Sequence, residues 1–392
     1  MTHANTRAHR ILVLPGDGIG PEIIREAQRV MDWLEAHRAV RFDREEALIG
    51  GCAIDAEGAP ISESTMRAAH AADAILFGAV GGPKWEPLPF DRRPERGILR
   101  IRKELDLFGN IRVAKTYDAL VDSSTLKPDL VRGLDLIVLR ENVGGMYFGE
   151  PRGIRTAADG STYGVNTHIY TDAQIRNVAR LGFELARGRR GKVCSVDKAN
   201  VMESGELWRR RVQELHDAEF ADIALTHMYA DNCSMQLVRQ PKQFDVILTD
   251  NLFGDILSDQ AAMLAGSLGM LPSASVGPVR EGCAVGSTRA ALYEPIHGSA
   301  PDIAGRSVAN PLATLLSLAM LLRLSCNLPA EANLLEAAVE AALAIARTAD
   351  IMQPGMKRVS TSEMGDVVIE QLDRLASAHA SAAAGQAAPA TA

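Results

Sequence analysis

Apolar residues in this chain fall into short runs separated by stretches of helical spacing. Ile11 to Leu14, Asp73 to Val80, Leu134 to Leu139, Lys192 to Val196, Ile223 to Tyr229 and Phe244 to Leu248 read as buried strands, with a further strand near Ala290 to Leu292. Ile23, Ala27, Val30, Met31 and Leu34 share one helical face, and Pro21 is suited to be the first residue of that helix. Ile98 to Phe108 and Asp172 to Arg187 are predicted helices. Another lies between the strands at 192–196 and 223–229, and more start near Pro311, Ala330 and Glu363. Residues 144–164, rich in glycine and aromatics, read as a projecting loop or hairpin. Residues 1–10 are polar and loose, and 377–392, almost all Ala, Ser, Gly, Pro and Gln, are expected to be disordered. Strands alternating with helices predict α/β layers around a largely parallel core.

The pattern changes most sharply at Asn251-Leu252-Phe253-Gly254-Asp255-Ile256-Leu257-Ser258-Asp259, where a buried strand gives way to a helix. Asp255 and Asp259 stand four apart, so both carboxylates leave one helix face. Like charges there are unfavourable unless a cation lies between them, and a hard divalent ion such as Mg²⁺ or Mn²⁺ fits. The plain alternative is a solvated acidic face. The strand-to-helix junction counts against it, because open α/β sheets bind ligands at strand ends.

Composition narrows the class. The chain has 392 residues, enough for two or three domains of about 150 residues. Its formal net charge of −7 provides no basic field for nucleic acid. The five cysteines show no Cys-x-x-Cys spacing, which fits reduced thiols in a cytoplasmic protein better than a disulfide framework or zinc site. No leader pattern opens the chain and no apolar run reaches membrane-spanning length.

Other candidates cluster at predicted element ends. Arg102, Arg112 and Arg140 could grip the carboxylates of a di- or tricarboxylate, although any one alone reads more readily as a surface salt bridge. Lys198 ends a strand, where a desolvated lysine can serve as a base; a surface lysine is the alternative. Asp231 also follows a strand and could be a third metal ligand. Tyr147 is either a proton donor or an aromatic packed in a dimer arm. The loop from Glu294 to Gly305 lets backbone N–H groups approach a phosphate or ring, and Asp302 could accept from a ribose diol and repel a 2′-phosphate. His297 reads alone as a structural histidine. Gly16-x-Gly18-x-Gly20 lacks the usual dinucleotide spacing and reads as a tight turn.

Taken together, Leu14–Glu22, the Gly78–Trp85 loop, Ser195–Asn200, Asn251–Asp259 and Glu294–Asn310 resemble the isocitrate/isopropylmalate β-decarboxylating dehydrogenases, in family order, over about residues 11–375. The resemblance implies a two-domain, non-Rossmann α/β fold with a dimer arm. The first, cofactor-side domain would be residues 1–107 with 266–392; residues 108–265 would form the dimerisation, metal and substrate side. It implies that Arg102, Arg112 and Arg140 hold the malate carboxylates. Asp255 and Asp259 would bind the metal in one subunit of a homodimer. Asp231, also near substrate, and the base Lys198 would come from the other subunit, and Tyr147 would be the proton donor. NAD would lie along Gly82 to Glu95 and in the loop carrying His297, Gly298, Ser299, Ala300, Asp302, Ile303 and Asn310. Glu95, Ile98 and Leu99 would line the substrate's alkyl pocket. The partners implied are a small 2-hydroxy dicarboxylate and a second copy of the chain, with no nucleic acid and no membrane.

The implied chemistry is hydride transfer to NAD⁺, loss of CO₂ from the resulting 2-keto acid and protonation of the enolate. An apolar pocket suits an isopropylmalate of leucine biosynthesis, and would leave a third carboxylate unpaired. Asn142-Val143, Arg100, Asp250, Gln260 and a longer segment at 278–289 depart from the family pattern. A D-malate, tartrate or other alkylmalate substrate therefore stays open. A non-catalytic regulatory subunit is the alternative of another class, against which Lys198, Asp231, Asp255 and Asp259 are all present.

Overall fold

The computed structural model describes residues 8–124, 126–264, 266–279 and 289–386. It divides into two compact units, Met1–Ile98 with Arg280–Ala392, and Leu99–Val279.

In the first unit four parallel strands lie in the order Phe42–Glu46, His9–Gly16, Ala74–Ala79, Arg289–Pro295. The helix Leu312–Leu324 packs against this sheet and is buried from Leu312 to Leu322. A helix apolar on every side can only sit inside a core. Gly20–His37 and Pro329–Leu343 pack against it, Thr361–Gln386 packs on those two helices, and Pro21 lies in the first turn of its helix as predicted.

Among the described residues, the second unit contributes six strands to the large sheet, in the order Pro272–Val279, Gly109–Lys115, Asp135–Glu141, Val246–Thr249, Lys192–Asp197, Ala224–Tyr229. The last four are parallel, so their C-terminal ends share one edge. Thr249 pairs with Arg140 on one side and Val196 on the other, and Asp197 pairs with Tyr229. Arg140, Lys198 and the starts of the helices Ala230–Arg239 and Asn251–Leu264 are therefore set along that edge. Gly153–Thr156 and Thr162–Val165 form an exposed antiparallel hairpin within the expected projecting segment.

The sheet is largely parallel, as expected, the exception being Gly109–Lys115, which is antiparallel to both of its neighbours. Two expectations need correction. The units divide after Ile98 and Val279 rather than at 107/108 and 265/266. Pro272–Val279 is tied to Gly109–Lys115 by strand pairing, and Asn142 bonds the carbonyls of Leu107 and Phe108, so both segments go with the second unit. Residues 377–386, expected to be disordered, continue the helix Thr361–Gln386, in keeping with alanine's helix preference. Residues 1–7 and 387–392, and most of the 278–289 segment including Cys283, lie outside the described residues. Cys52, Cys194, Cys233 and Cys326 are free. Among the described residues no helix is long and apolar enough to cross a membrane.

Candidate active site

Arg140, the penultimate residue of its strand, is 4% exposed, so its guanidinium needs partners. Its Nε and one terminal nitrogen donate to Asn251 Oδ1 at 2.9 and 2.7 Å, and the other donates to Asp255 Oδ1 at 2.5 Å. Burial, then the neighbouring Arg112, pushes its pKa down to about 10, so it stays charged at neutral pH. The helix can start this close because residue 254 is glycine; a Cβ there would lie 2.6 Å from Arg140 Cγ. Asp250 caps the helix, accepting from the N–H of Phe253 at 2.8 Å, a bond worth about 1 kcal/mol. Its other oxygen meets His168 Nε2 at 3.0 Å.

Arg112 completes the group. It donates to Ser258 Oγ at 2.7 Å and Asp259 Oδ1 at 3.2 Å, and lies 3.4 Å from Asp255. Tyr147 donates its hydroxyl to Asp255 Oδ2 at 2.9 Å, and its ring lies 5.5 Å from the Arg140 guanidinium. Burial, then Asp255, raises the Tyr147 phenol, and burial raises Asp259. The structure thus brings Arg112, Arg140, Tyr147, Asp255 and Asp259 together. Arg102 is half-buried and adds its charge to the field at Arg140.

Lys198 and Asp231 form a separate pair, 2.7 Å apart at adjacent strand ends, and the lysine holds the carboxyl below its usual range. Among the described residues of one chain, no three His, Cys, Asp or Glu side chains come together as a metal site. The donor chemistry of Asp255, Asp259 and Asp231 nevertheless fits a hard ion, since all are carboxylates.

On the helix Glu95–Glu104, Leu99 lies four residues after Glu95 and three before Arg102, on their face. Leu99 is half-buried and Glu95 exposed, whereas Ile98 is 6% exposed and turned into the core. Arg100 is tied to Glu104 at 2.6 Å. In the first unit, Gly82 precedes a short helical turn, Pro83–Trp85. In the other loop, His297 is held below its ordinary pKa by burial, and its buried Nε2 has no hydrogen-bond partner. Gly298 and Asp302 are exposed, Ser299 is buried, and Ala300 and Ile303 are half-buried. Asn310 binds Asp350 at 3.0 Å. An unsatisfied ring nitrogen beside open backbone fits a dinucleotide's polar edges.

Sequence reasoning missed Asn251, Ser258 and His168. Each acts through a partner distant in the chain, so no local spacing marks it. Asp250 and Gln260, departures from the family pattern, have local reasons: Asp250 is the cap, and Gln260 donates to the Ser234 carbonyl at 2.7 Å, joining two helices.

The family model for isocitrate/isopropylmalate dehydrogenase matches residues 10–368. A 3-isopropylmalate dehydrogenase of Gluconobacter oxydans is 57% identical over 370 residues, covering 94% of this chain and 99% of that protein. One of Rhodospirillum rubrum is 58% identical, with 94% and 98% covered. Among solved structures, isocitrate dehydrogenase from Methylococcus capsulatus superposes with a TM-score of 0.81 at 30% identity, covering 93% of this chain and 99% of that one. A β-decarboxylating dehydrogenase from Thermococcus kodakarensis gives 0.72 at 33% identity, covering 94% and 97%. With a match of that extent, the chain belongs to the isocitrate/isopropylmalate dehydrogenase family and is an enzyme, a β-decarboxylating dehydrogenase.

Proposed function

We propose that the protein converts (2R,3S)-3-isopropylmalate to 4-methyl-2-oxopentanoate in leucine biosynthesis, using NAD⁺ and Mg²⁺ or Mn²⁺, as a cytoplasmic homodimer. The observation that carries this reading is the cluster of Asp255, Asp259, Arg112, Arg140 and Tyr147 at one strand edge. It combines hard-metal donors, carboxylate grips and a proton carrier.

Arg102, Arg112 and Arg140 hold the two malate carboxylates and orient C2. Lys198 takes the C2 hydroxyl proton. When bound, the ion coordinated by Asp255, Asp259 and Asp231 supplies Lewis acidity toward the C2 oxygen, and NAD⁺ supplies the hydride acceptor. Departure of CO₂ from the 2-keto acid leaves an enolate, and Tyr147 returns a proton to its C3. Leu99 offers the branched alkyl group apolar surface, while Arg100, engaged by Glu104, is poorly placed to pair a third carboxylate.

Asp231 and Lys198 serve the site of a second copy in this reading. Supporting it are the exposed apolar residues Met235 and Val238 on Ala230–Arg239, and Ile256 and Met263 on Asn251–Leu264, two helices bridged by Gln260. Four such side chains on neighbouring helices suit an interface between copies.

NADH formation with Mg²⁺ or Mn²⁺ on 3-isopropylmalate, D-malate, tartrate and isocitrate tests the assignment. The highest kcat/KM is expected for 3-isopropylmalate, and a higher value for D-malate would overturn it.

A further inference from the structure

Both loops assigned to the dinucleotide are fastened to one turn at the start of the helix Gly20–His37. Asp17 is 4% exposed and binds three backbone N–H groups: Gly51 at 2.7 Å, Cys52 at 2.8 Å and Gly81 at 2.8 Å. Gly81 is the residue from which the Gly82–Glu95 loop departs. Two residues on, the N–H of Ile19 donates to the Ser299 carbonyl at 2.9 Å. Gly18, at φ +60°, approaches that carbonyl so closely that a Cβ would lie 2.0 Å from its oxygen.

Glu22 extends the attachment. One carboxylate oxygen accepts from the N–H of Gly305, and the other from Ser307 at 3.1 Å. Ser307 has φ 52°, a left-handed conformation that costs a non-glycine residue about 1 kcal/mol or more. It is pinned on its other side by the N–H of Thr361, which donates to its carbonyl at 2.9 Å. Beneath the loop, Ala300 and Ile303 pack against Ile19 and Ile23.

We propose that Glu22 is a positioning residue for the dinucleotide: its carboxylate holds the Gly298–Asn310 loop in its binding shape before ligand arrives. This rests on the reading of that loop as a cofactor site. A loop ordered beforehand does not charge its ordering entropy against binding. Loss of the clamp therefore weakens dinucleotide affinity and spares proton transfer, whose groups lie on the second unit.

The test uses the full chain with Glu22→Ala, Glu22→Gln and Asp302→Ala. KM for NAD⁺ and Kd for NADH, measured by fluorescence, should rise about ten-fold in Glu22→Ala, or about 1.4 kcal/mol. Meanwhile kcat and KM for 3-isopropylmalate should stay within about two-fold. Exchange of the Gly305 and Ser307 amide protons should quicken. Glutamine's single acceptor cannot satisfy both N–H groups, so Glu22→Gln should weaken NADH at least about three-fold. If the alanine variant does not fold, the glutamine variant decides alone. Unchanged NADH affinity in a folded Glu22 variant, or equal changes in kcat and both KM values, overturns the clamp. If Asp302→Ala weakens NADH and the Glu22 variants do not, the clamp alone is wrong. If Asp302→Ala leaves NADH binding unchanged, the cofactor assignment of the loop is wrong.

Discussion

Tyr147 donates its hydroxyl hydrogen to Asp255 while Arg140 holds the other oxygen of that carboxylate. The phenol is thus directed at the acid group assigned to the metal, and burial, then Asp255, raises its pKa further above neutral. Tyr147→Phe preserves the ring that lies against Arg140 and removes only the hydroxyl. Stopped-flow and steady-state assays should show kcat lowered on the order of 10²-fold or more, the scale of general acid catalysis, with KM for NAD⁺ little changed. Full turnover in that variant would take Tyr147 out of the proton path.

Glu141 follows Arg140 and is fully buried, with its oxygens accepting from the N–H groups of Val143 at 3.0 Å and Gly144 at 2.8 Å. Burial raises its pKa from 4.5 to about 7 despite those bonds, with Tyr170 and Asp250 as its titratable neighbours. Between those two values the folded chain binds more protons than the unfolded chain, so stability falls as pH rises across that window and then levels. The contribution is up to about 3 kcal/mol. Glu141→Gln lacks this titration. Thermal melts should show its Tm relative to wild type rising between about pH 5 and pH 7. A constant difference across that range would mean that Glu141 ionises normally.

Leu99 shares a helix face with Arg102, whereas Ile98 is core. Of the two apolar candidates, Leu99 is the one not sealed in the core, and in the proposed function it meets the substrate's alkyl group. Leu99→Ala should lower kcat/KM for 3-isopropylmalate about 10- to 100-fold and that for D-malate only a few-fold, since D-malate has no alkyl group to lose contact. A parallel fall on both substrates would place the alkyl pocket elsewhere.

The sequence was legible where chemistry and burial coincide locally. The runs Leu134–Leu139 and Phe244–Leu248 are apolar but for Asp135 and Asp245, and the polar residues that follow them include the clustered Arg140 and Asn251. Gly109–Lys115 escaped notice because Asn110 and Arg112 interrupt its apolar residues, and Pro272–Val279 because it carries two prolines and a glycine. Asp17 and Glu22 were visible within a motif, but not their task. Their partners are backbone N–H groups 34, 35 and 64 residues away for Asp17, and 283 and 285 residues away for Glu22. Side-chain identity carries no trace of such a pairing.

The separation of Lys198 and Asp231 from the Asp255–Asp259 group has a direct test. If each site takes Asp255 from one chain and Lys198 from the other, Lys198→Ala and Asp255→Asn homodimers are both inactive. Each of their sites lacks one group. In a mixed dimer the two defects fall into the same site, and the other site is entirely wild type. Unfolding and refolding an equimolar mixture should make about half the dimers mixed, restoring about a quarter of wild-type activity. Neither variant refolded alone should recover any. The same arithmetic fails if each chain builds its own site, because every site in the mixture then carries one defect. Absence of recovered activity, with mixed dimers verified by mass spectrometry, would therefore refute the shared site.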